Sequence, residues 1–396
     1  MSIESLIARD PRWQDCGGAA HSGTVVLGTC NLARNLPDLP FPASAGPDER
    51  EAAEARALGA FERLGLLDTG EYFSLAALNP AELQLLAERQ LITLEMTAPR
   101  KGQGVYVSED QSLAVLLNDT DHCCIRVLGS GLAIEEAWNR ASALDDQLND
   151  SLDFAYSNEL GYLTRSLSHT GTGLRLTLLL HLPACAQESL LNDAGALHEL
   201  QQSAERLDLE LVGVGTGLPD KHPVTAREQG ERSVVCRQAL YHGMNGFPAR
   251  GLHDTEGDLF QLRNRTSLGR SEEDLVYRLK QCAGEIVRRE AELRERLRAT
   301  FADLLEDRVE RARALATNAR LMPFDESVSL LSSLRLGVTL GLISDRTVAD
   351  LNGSLIHCQG AHVERQLQPG VDTVDELALK RLRARQLKQL FMPAQG

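Results

Sequence analysis

A glycine turn that leads into a long apolar run constrains this chain more than any other stretch. Gly171, Thr172 and Gly173 precede Arg175, which lies near the start of an apolar segment from Leu174 to Leu182. An unbroken apolar run of this length predicts a strand buried on both faces, in the centre of a sheet. The glycines permit a sharp backbone turn just before it. Arg175 is therefore presented where a flexible turn meets a buried strand, a position that suits phosphate binding.

The composition is that of a globular protein with an acidic balance. The 396 residues are 43% apolar and 24% charged, with a formal net charge of −15. Nucleic-acid binding is disfavoured because no cluster of cations dominates, whereas a basic or peptide-like partner is electrostatically easier. No apolar run is long enough to cross a membrane, and the N-terminus lacks a signal-peptide pattern. The sequence thus predicts a cytoplasmic protein with neither a nucleic-acid nor a membrane partner.

The cysteines show no metal-binding or disulfide pattern. Eight cysteines occur, without a Cys-x-x-Cys pair or a Cys/His ladder. This argues against structural zinc and against a disulfide framework. We therefore predict no metal site formed by the protein alone and expect most cysteines to be reduced and buried.

Periodicity predicts helices and strands mixed in the first two thirds of the chain. Apolar residues recur at helical spacing in residues 46–66, 81–91 and 134–154, and short apolar runs predict strands at residues 105–107, 113–117, 174–182 and 209–214. No glycine-rich Rossmann or P-loop motif accompanies them. From Ser271, which forms a capping-box pattern with Asp274, the remainder reads as helical. We place a domain boundary near residue 268, giving domains 1–268 and 269–396.

The stretch around the glycine turn resembles the phosphagen-kinase (ATP:guanidino phosphotransferase) family, and most closely the bacterial protein-arginine kinases. The family segment Cys-Pro-Thr-Asn-x-Gly-Thr-Gly-x-Arg corresponds to residues 166–175, with Ser166 in place of the cysteine. Further similar segments lie in order at residues 25–42, 118–122, 145–183, 259–274 and 330–343. The resemblance implies an α+β catalytic domain with a mainly antiparallel sheet flanked by helices, followed by an all-helical C-terminal domain. It also implies ATP with Mg²⁺ as the phosphoryl donor, bound in part by Arg175.

Two family motifs are altered at charged positions. Matching Ala33-Arg34-Asn35 to the motif after the first strand puts Thr29 and Asn31 where family members carry phosphate-binding arginines. We interpret Arg34, which matches the third arginine of that motif, as a structural salt-bridge residue.

The second altered motif is Asn-Glu-Glu-Asp-His-x-Arg, which reads Asn118 to Cys124 here. The glutamate that the family uses on the guanidinium becomes Thr120, and the following arginine becomes Cys124. Asp119 is not expected to replace the glutamate, because adjacent side chains of a strand point to opposite faces. His122 keeps its identity. It is either a nucleotide-binding residue or a hydrogen-bonded histidine at a strand end.

The flexible catalytic loop of the family has two alternative placements. The similarity of the local sequence to the family motif favours Arg250 to Glu256, which makes Arg250 a nucleotide-binding residue and Glu256 the second catalytic carboxylate. Distance from the Arg175 strand instead favours residues 209–214, with Val212 at the arginine position. We prefer the first placement, with an insertion at about residues 215–249. Solvent-exposed loop charges are the other interpretation of Arg250 and Glu256.

Two functions follow from the resemblance and the altered motifs. Losing several arginines and a carboxylate predicts a severe loss of phosphoryl transfer, because a single arginine on the transferring group can be worth about 10³–10⁵ in rate. The residues therefore favour a degenerate, weakly active or inactive kinase (a pseudokinase) that serves as a binding or regulatory protein. The alternative is an active kinase that phosphorylates arginine side chains in proteins, with Ser166 and Glu256 as catalytic residues. The implied partners are a protein substrate or regulatory protein and, through the helical C-terminal domain, a second copy of the chain.

Overall fold

A computed structural model describes residues 3–15, 21–191, 195–215, 252, 255–367 and 376–392. Within these residues the fold combines one large sheet, helices on both of its faces and a helical C-terminal region. No helix among them is long and apolar enough to cross a membrane.

The sheet is antiparallel, with eight strands in the order β2-β3-β4-β5-β1-β8-β10-β9. These strands are β1 Val25–Arg34, β2 Gly70–Ser74, β3 Gly104–Ser108, β4 Leu113–Leu117, β5 Cys123–Ser130, β8 Leu174–His181, β9 Leu209–Gly213 and β10 Leu259–Asn264. Two short strands, β6 Tyr156–Ser157 and β7 Gly161–Tyr162, form a separate pair. The predicted antiparallel sheet and the central position of the 174–182 segment are both confirmed.

The helices follow the sequence pattern closely. They are α1 Ile3–Ile7, α2 Pro47–Arg63, α3 Pro80–Glu88, α4 Ile134–Leu152, α5 Pro183–Leu191, α6 Ala196–Arg206, α7 Glu272–Thr300, α8 Ala302–Asn318, α9 Phe324–Thr339, α10 Val348–His357, α11 Gly360–Glu364 and α12 Glu376–Phe391. Helix α7 begins as predicted, since Ser271 accepts a hydrogen bond from the backbone N–H of Asp274.

Helix α7 packs with the first part of the chain. Its apolar stripe, including Leu279, Cys282 and Ile286, lies in the same core as the strand residues Leu176 and Leu178. The predicted boundary near residue 268 therefore falls ahead of a helix that shares the core of the sheet. The apolar spacing of α7 in the sequence predicts that one face of the helix is buried, but it does not predict which elements cover that face.

The two faces of the sheet are covered differently. One face packs against α2, α4, α6 and α7 in a continuous core. On the other face, Leu179 of β8 joins a second core with α3 and the C-terminal helices, and the His181 ring hydrogen-bonds Ser332 of α9 at 2.9 Å. Arg175 shares this face because alternate residues of a strand point the same way. It lies beyond the end that the helices cover, where the face is left open to form a cavity.

Candidate active site

The open end of the sheet face forms a cavity of about 430 Å³. It is lined by Asn31, Ala33, Glu95, Arg100, Asp119, Thr120, Asp121, Cys124, Arg165, Ser166, Ser168, His169, Gly173 and Arg175. Arginines and carboxylates thus share one concave site, which suits a ligand that carries both signs of charge.

The glycine turn positions Arg175 through a close backbone approach. Gly173 has a φ of +69°, and a Cβ atom there would lie 2.5 Å from the carbonyl oxygen of Ala33. Arg34 secures the same turn, because it donates to the Thr172 carbonyl at 2.9 Å and pairs with Asp145 at 2.6 Å. The interpretation of Arg34 as a structural salt-bridge residue is consistent with these contacts. The turn therefore needs glycine for its backbone and Arg34 for its anchorage.

Arg175 lies on one face of the sheet with two further arginines. Asn31 of β1 is directly opposite Arg175 on one side and Arg126 of β5 on the other, so the three side chains share a face. Arg126 donates to the Asn31 side-chain oxygen at 2.9 Å. Arg263 of β10 is on the same face and forms an ion pair with Glu210 of β9.

These arginines place positive charge behind the cavity. Burial, with Arg263 nearby, lowers the pKa of Arg175 to about 10, which leaves it protonated at neutral pH. Arg126 is fully buried, and burial lowers its pKa as well. Sequence reasoning missed Arg126 and Arg263, because only the register of the strands brings them to the face of Arg175.

Two more cations lie at the rim of the cavity. Arg100 and Arg165 are exposed and line it from different segments. The backbone N–H of Arg165 donates to the Asp121 carboxylate at 2.8 Å, which fixes the chain at this point. Arg165 directly precedes Ser166, the first residue of the segment that resembles the family motif, and sequence reasoning missed it.

The prediction that Asp119 points away from Thr120 across a strand is wrong. Strand β4 ends at Leu117 and β5 begins at Cys123, so the intervening residues form a turn. Asn118 has a φ of +55° and ends the extended backbone. As a result Asp119, Thr120 and Asp121 all line the cavity.

Ser166 lies in the cavity wall, where its hydroxyl shares a 2.8 Å hydrogen bond with the hydroxyl of Ser168. The Thr164 hydroxyl donates to the Ser166 carbonyl at 2.8 Å. A serine can donate a hydrogen bond here but cannot provide the thiolate that a cysteine would. Its catalytic role remains a prediction.

His122 is not among the residues that line the cavity. Its ring Nδ1 accepts a hydrogen bond from the backbone N–H of Leu36 at 3.2 Å, and the backbone N–H of His122 donates to the Asn35 side-chain oxygen at 2.9 Å. Burial lowers its pKa, which favours the neutral ring. This geometry matches the hydrogen-bonded histidine at a strand end, and nucleotide contact by His122 remains untested.

The structure does not bring Glu256 to the cavity. Its backbone N–H donates to the carbonyl of Val214 at 2.9 Å, just before Leu259, which pairs with His181. His181 and Arg175 are six residues apart on β8, or roughly 20 Å at ~3.3 Å per residue. The antiparallel register therefore carries Glu256 to the far end of the strand. Arg250 and nearly all of the predicted insertion lie outside the described residues.

Metal binding by protein side chains alone has no candidate in the described part of the chain. No group of three or more His, Cys, Asp or Glu side chains there is arranged to hold an ion. Mg²⁺ commonly binds through substrate phosphates and one or two carboxylates. At the rim of the cavity, the exposed carboxylate of Glu95 offers an oxygen ligand of that kind.

Comparison with protein families gives two matches that together cover both parts of the fold. A model described as the ATP:guanido phosphotransferase C-terminal catalytic domain matches residues 53–217. A second, described as the protein-arginine kinase McsB C-terminal domain, matches residues 302–395. The second match begins after α7, in agreement with the packing of that helix on the sheet core.

Solved structures of guanidino kinases share the fold. The duplicated taurocyamine kinase from Schistosoma mansoni, with bound transition-state-analogue components, has a TM-score of 0.53 at 17% identity, over 81% of this chain and 41% of that chain. Lombricine kinase has a TM-score of 0.50 at 16% identity, over 74% of this chain and 76% of its own. The chain thus spans about two fifths of the duplicated enzyme.

Curated relatives match along most of the chain. The protein-arginine kinase of Symbiobacterium thermophilum is 33% identical, over 92% of this chain and 93% of the relative. The protein-arginine kinase of Syntrophomonas wolfei is 31% identical, over 94% of both. Since identity at this level extends over nearly the whole of both chains, the chain belongs to the protein-arginine kinase family of ATP:guanido phosphotransferases.

Proposed function

We propose that this chain transfers the γ-phosphoryl group of ATP to arginine side chains of proteins, at a rate well below that of relatives with the full set of cleft arginines. The observation that carries the proposal is the meeting of opposite charges in one cavity. The cavity is lined by Arg100, Arg165, Arg175, Glu95, Asp119 and Asp121.

Phosphoryl transfer to a guanidinium needs both kinds of charge. Cations neutralise the phosphate oxygens as charge moves to the leaving group, and a carboxylate holds the guanidinium in line with the phosphorus. Arg175 meets the first need from the sheet, and Arg165 and Arg100 extend it along the rim. Mg²⁺ would enter with ATP and neutralise part of the phosphate charge.

The rate is reduced because the face beside Arg175 is partly neutral. Asn31 and Cys124 line the cavity, and Thr29 and Val212 lie on the same face of neighbouring strands. In the resembled motifs, arginines stand at the positions of Thr29, Asn31 and Cys124, and also at that of Val212 under the alternative placement of the catalytic loop. Arg126 and Arg263 restore positive charge, but from buried or ion-paired positions that phosphate does not reach directly.

A second candidate function is that of a binding or regulatory protein without turnover. The neutral side chains at Thr29, Asn31 and Cys124 favour it, because each removes a charge that would hold ATP. In that case the cavity binds an arginine-bearing segment of a partner protein. A second copy of the chain, bound through the C-terminal helices, is a further partner of this function.

Phosphorus NMR distinguishes the two. The protein is incubated with Mg·ATP and an arginine-rich protein substrate, beside the Symbiobacterium thermophilum relative, and acid-labile phosphoarginine is followed by ³¹P NMR. We expect phosphoarginine from both proteins, with this chain slower by a factor on the order of 10³, the lower value for loss of one phosphate-stabilising arginine. An Arg175→Gln variant serves as the control and should give no product. No product from the unmodified chain, with its fold intact, would favour the binding function.

A further inference from the structure

The turn between β4 and β5 is held rigidly in the conformation that exposes its side chains to the cavity. The Asn118 side chain donates to the backbone carbonyls of Arg50 at 2.8 Å and Gly102 at 2.6 Å. The Asn118 N–H donates to the carbonyl of His122 at 2.9 Å and closes the turn. With both ends fixed, Asp119 has a defined place in the cavity wall and is not a mobile surface residue.

Asp119 is buried, with 7% of its surface exposed, and its contacts are to neutral donors. The Thr93 hydroxyl donates to one carboxylate oxygen at 3.0 Å, and the backbone N–H of Thr120 also faces the carboxylate. No lysine or arginine forms an ion pair with Asp119 within the described ranges. Carboxylates almost never lie this deep without a cationic partner. Arg126 acts on Asp119 electrostatically but forms no ion pair with it, and a cationic ligand would supply a direct partner.

The other two carboxylates of the cavity, Asp121 and Glu95, lie in different surroundings. One oxygen of Asp121 accepts from the Asn35 side chain at 2.6 Å and from the Arg165 N–H at 2.8 Å, so this residue ties two loops together. Glu95 is exposed at the rim. Asp119 and Asp121 are both buried in the cavity wall, but Asp121 is engaged in joining two loops. Asp119 is therefore the buried carboxylate that we assign to recognition of a planar cation.

The charges around Asp119 come from three segments. Arg126 of β5 opposes the effect of burial, which raises the pKa of Asp119, while Asp121 of the same turn adds to it. Cys124 is close to Asp119, but burial raises the pKa of its thiol to about 12, so it is neutral near pH 7. Glu95, from the segment after α3, favours the charged form of Arg126. A carboxyl in this setting takes up a proton more readily than an exposed aspartate.

We propose that Asp119 is the residue of this chain that binds the guanidinium of the substrate arginine and accepts its proton. The inference rests on the proposed function and deepens it. As the guanidinium nitrogen forms its bond to the γ-phosphorus, the bond from phosphorus to the bridging oxygen breaks and its electron pair leaves with ADP. The proton lost from that nitrogen passes to the Asp119 carboxylate and then to water. Thr93 orients the carboxylate for this contact.

Binding of short peptides tests the assignment separately from turnover. The probe is a blocked Gly-Gly-Arg-Gly-Gly peptide, with the lysine counterpart as a control, titrated by calorimetry into the full chain. We expect the arginine peptide to bind more tightly. Asp119→Asn should weaken it by about tenfold or more, the loss expected for a charge-assisted hydrogen bond. Asp119→Glu should keep part of the affinity, and Glu159→Gln, which removes an exposed carboxylate outside the cavity, should keep all of it.

A pH series adds a readout that a structural role would not change. Binding by the unmodified chain should weaken as pH falls and Asp119 is protonated, and this dependence should be smaller in Asp119→Asn. If that variant fails to fold, Thr93→Val, which removes the orienting hydroxyl, should still weaken binding about threefold. Peptide affinity unchanged in both variants, or no preference for arginine over lysine in the unmodified chain, would overturn the assignment. Arginine binding that depends on Asp119 without phosphoarginine formation would overturn only the proposed function.

Discussion

At the scale of single residues, His169 shows how the cavity wall tolerates its positive charge. The residue lines the cavity, and its carbonyl accepts from the Ser267 hydroxyl at 2.8 Å. Burial, together with Arg175 and Arg263, lowers the pKa of His169 to about 4. The imidazole is therefore neutral near pH 7 and adds no further repulsion to the arginines on the sheet face.

His169 should contribute to acid lability. Its pKa is lower in the folded chain than the usual 6.5, so its contribution to stability is present above about pH 6.5 and is lost as pH falls towards 4. Between pH 7 and pH 5 the unfolding free energy of both proteins should fall. We expect the fall to be about 1–2 kcal/mol smaller in His169→Asn than in the unmodified chain. Urea unfolding at the two pH values measures the difference. Equal losses in both proteins would contradict the neutral state of the half-buried His169 ring.

At the scale of elements, Arg34 joins β1 to α4 through a buried ion pair and to the glycine turn through its hydrogen bond with the Thr172 carbonyl. Arg34 at the end of β1 has 1% of its side chain exposed and Asp145 of α4 has 8%. The Arg34 guanidinium also lies 3.5 Å from the centre of the Tyr162 ring in β7. Three elements around the turn thus depend on a single side chain, and Arg175 follows directly after that turn.

Replacing one partner of this ion pair should lower the unfolding free energy more than replacing both partners together. Arg34→Met leaves the Asp145 carboxylate buried without its partner, which typically costs about 3–5 kcal/mol. The double variant Arg34→Met/Asp145→Leu removes both charges and should be less destabilised than the sum of the single variants. Urea midpoints of the four proteins form the thermodynamic cycle. Additive effects would mean that the two side chains do not interact in the way their 2.6 Å separation indicates.

The sequence predicted individual helices and strands better than it predicted which residues lie close together in the fold. The apolar run of β8 and the helix start at Ser271 are local signals, and the structure confirms both, although of the capping box only the bond from the Asp274 N–H to Ser271 is present. The orientation of Asp119 was predicted wrongly because the end of β4 depends on the backbone conformation of Asn118, which spacing does not reveal. Arg126 and Arg263 were missed because strand register is not local. Glu256 was placed by the similarity of its local sequence to a family motif. Its position in the fold is set instead by the register of β10.

At the scale of the whole molecule, α3 links the sheet region to the C-terminal helices through two consecutive buried residues. Glu88 accepts hydrogen bonds from the backbone N–H of Ala361 at 2.8 Å and from His362 Nδ1 at 2.7 Å. Arg89 donates to His362 Nε2 at 3.2 Å and to the carbonyl of Ile7 at 2.7 Å. Because Arg89 occupies Nε2 as a donor, the neutral His362 ring carries its proton on Nδ1, facing Glu88.

This junction should determine whether the C-terminal helices stay docked. Glu88→Ala leaves the N–H groups at the start of α11 and the His362 ring buried without an acceptor, and each unsatisfied donor costs about 1–3 kcal/mol. We expect a loss of about 3 kcal/mol or more in unfolding free energy, against a change within about 0.5 kcal/mol for the exposed Glu109→Ala. Hydrogen exchange locates the effect, since amides of α10 and α11 should lose protection before those of β8. Uniform loss of protection across the chain, or a Glu88→Ala variant as stable as Glu109→Ala, would show that Glu88 does not hold the C-terminal helices in place.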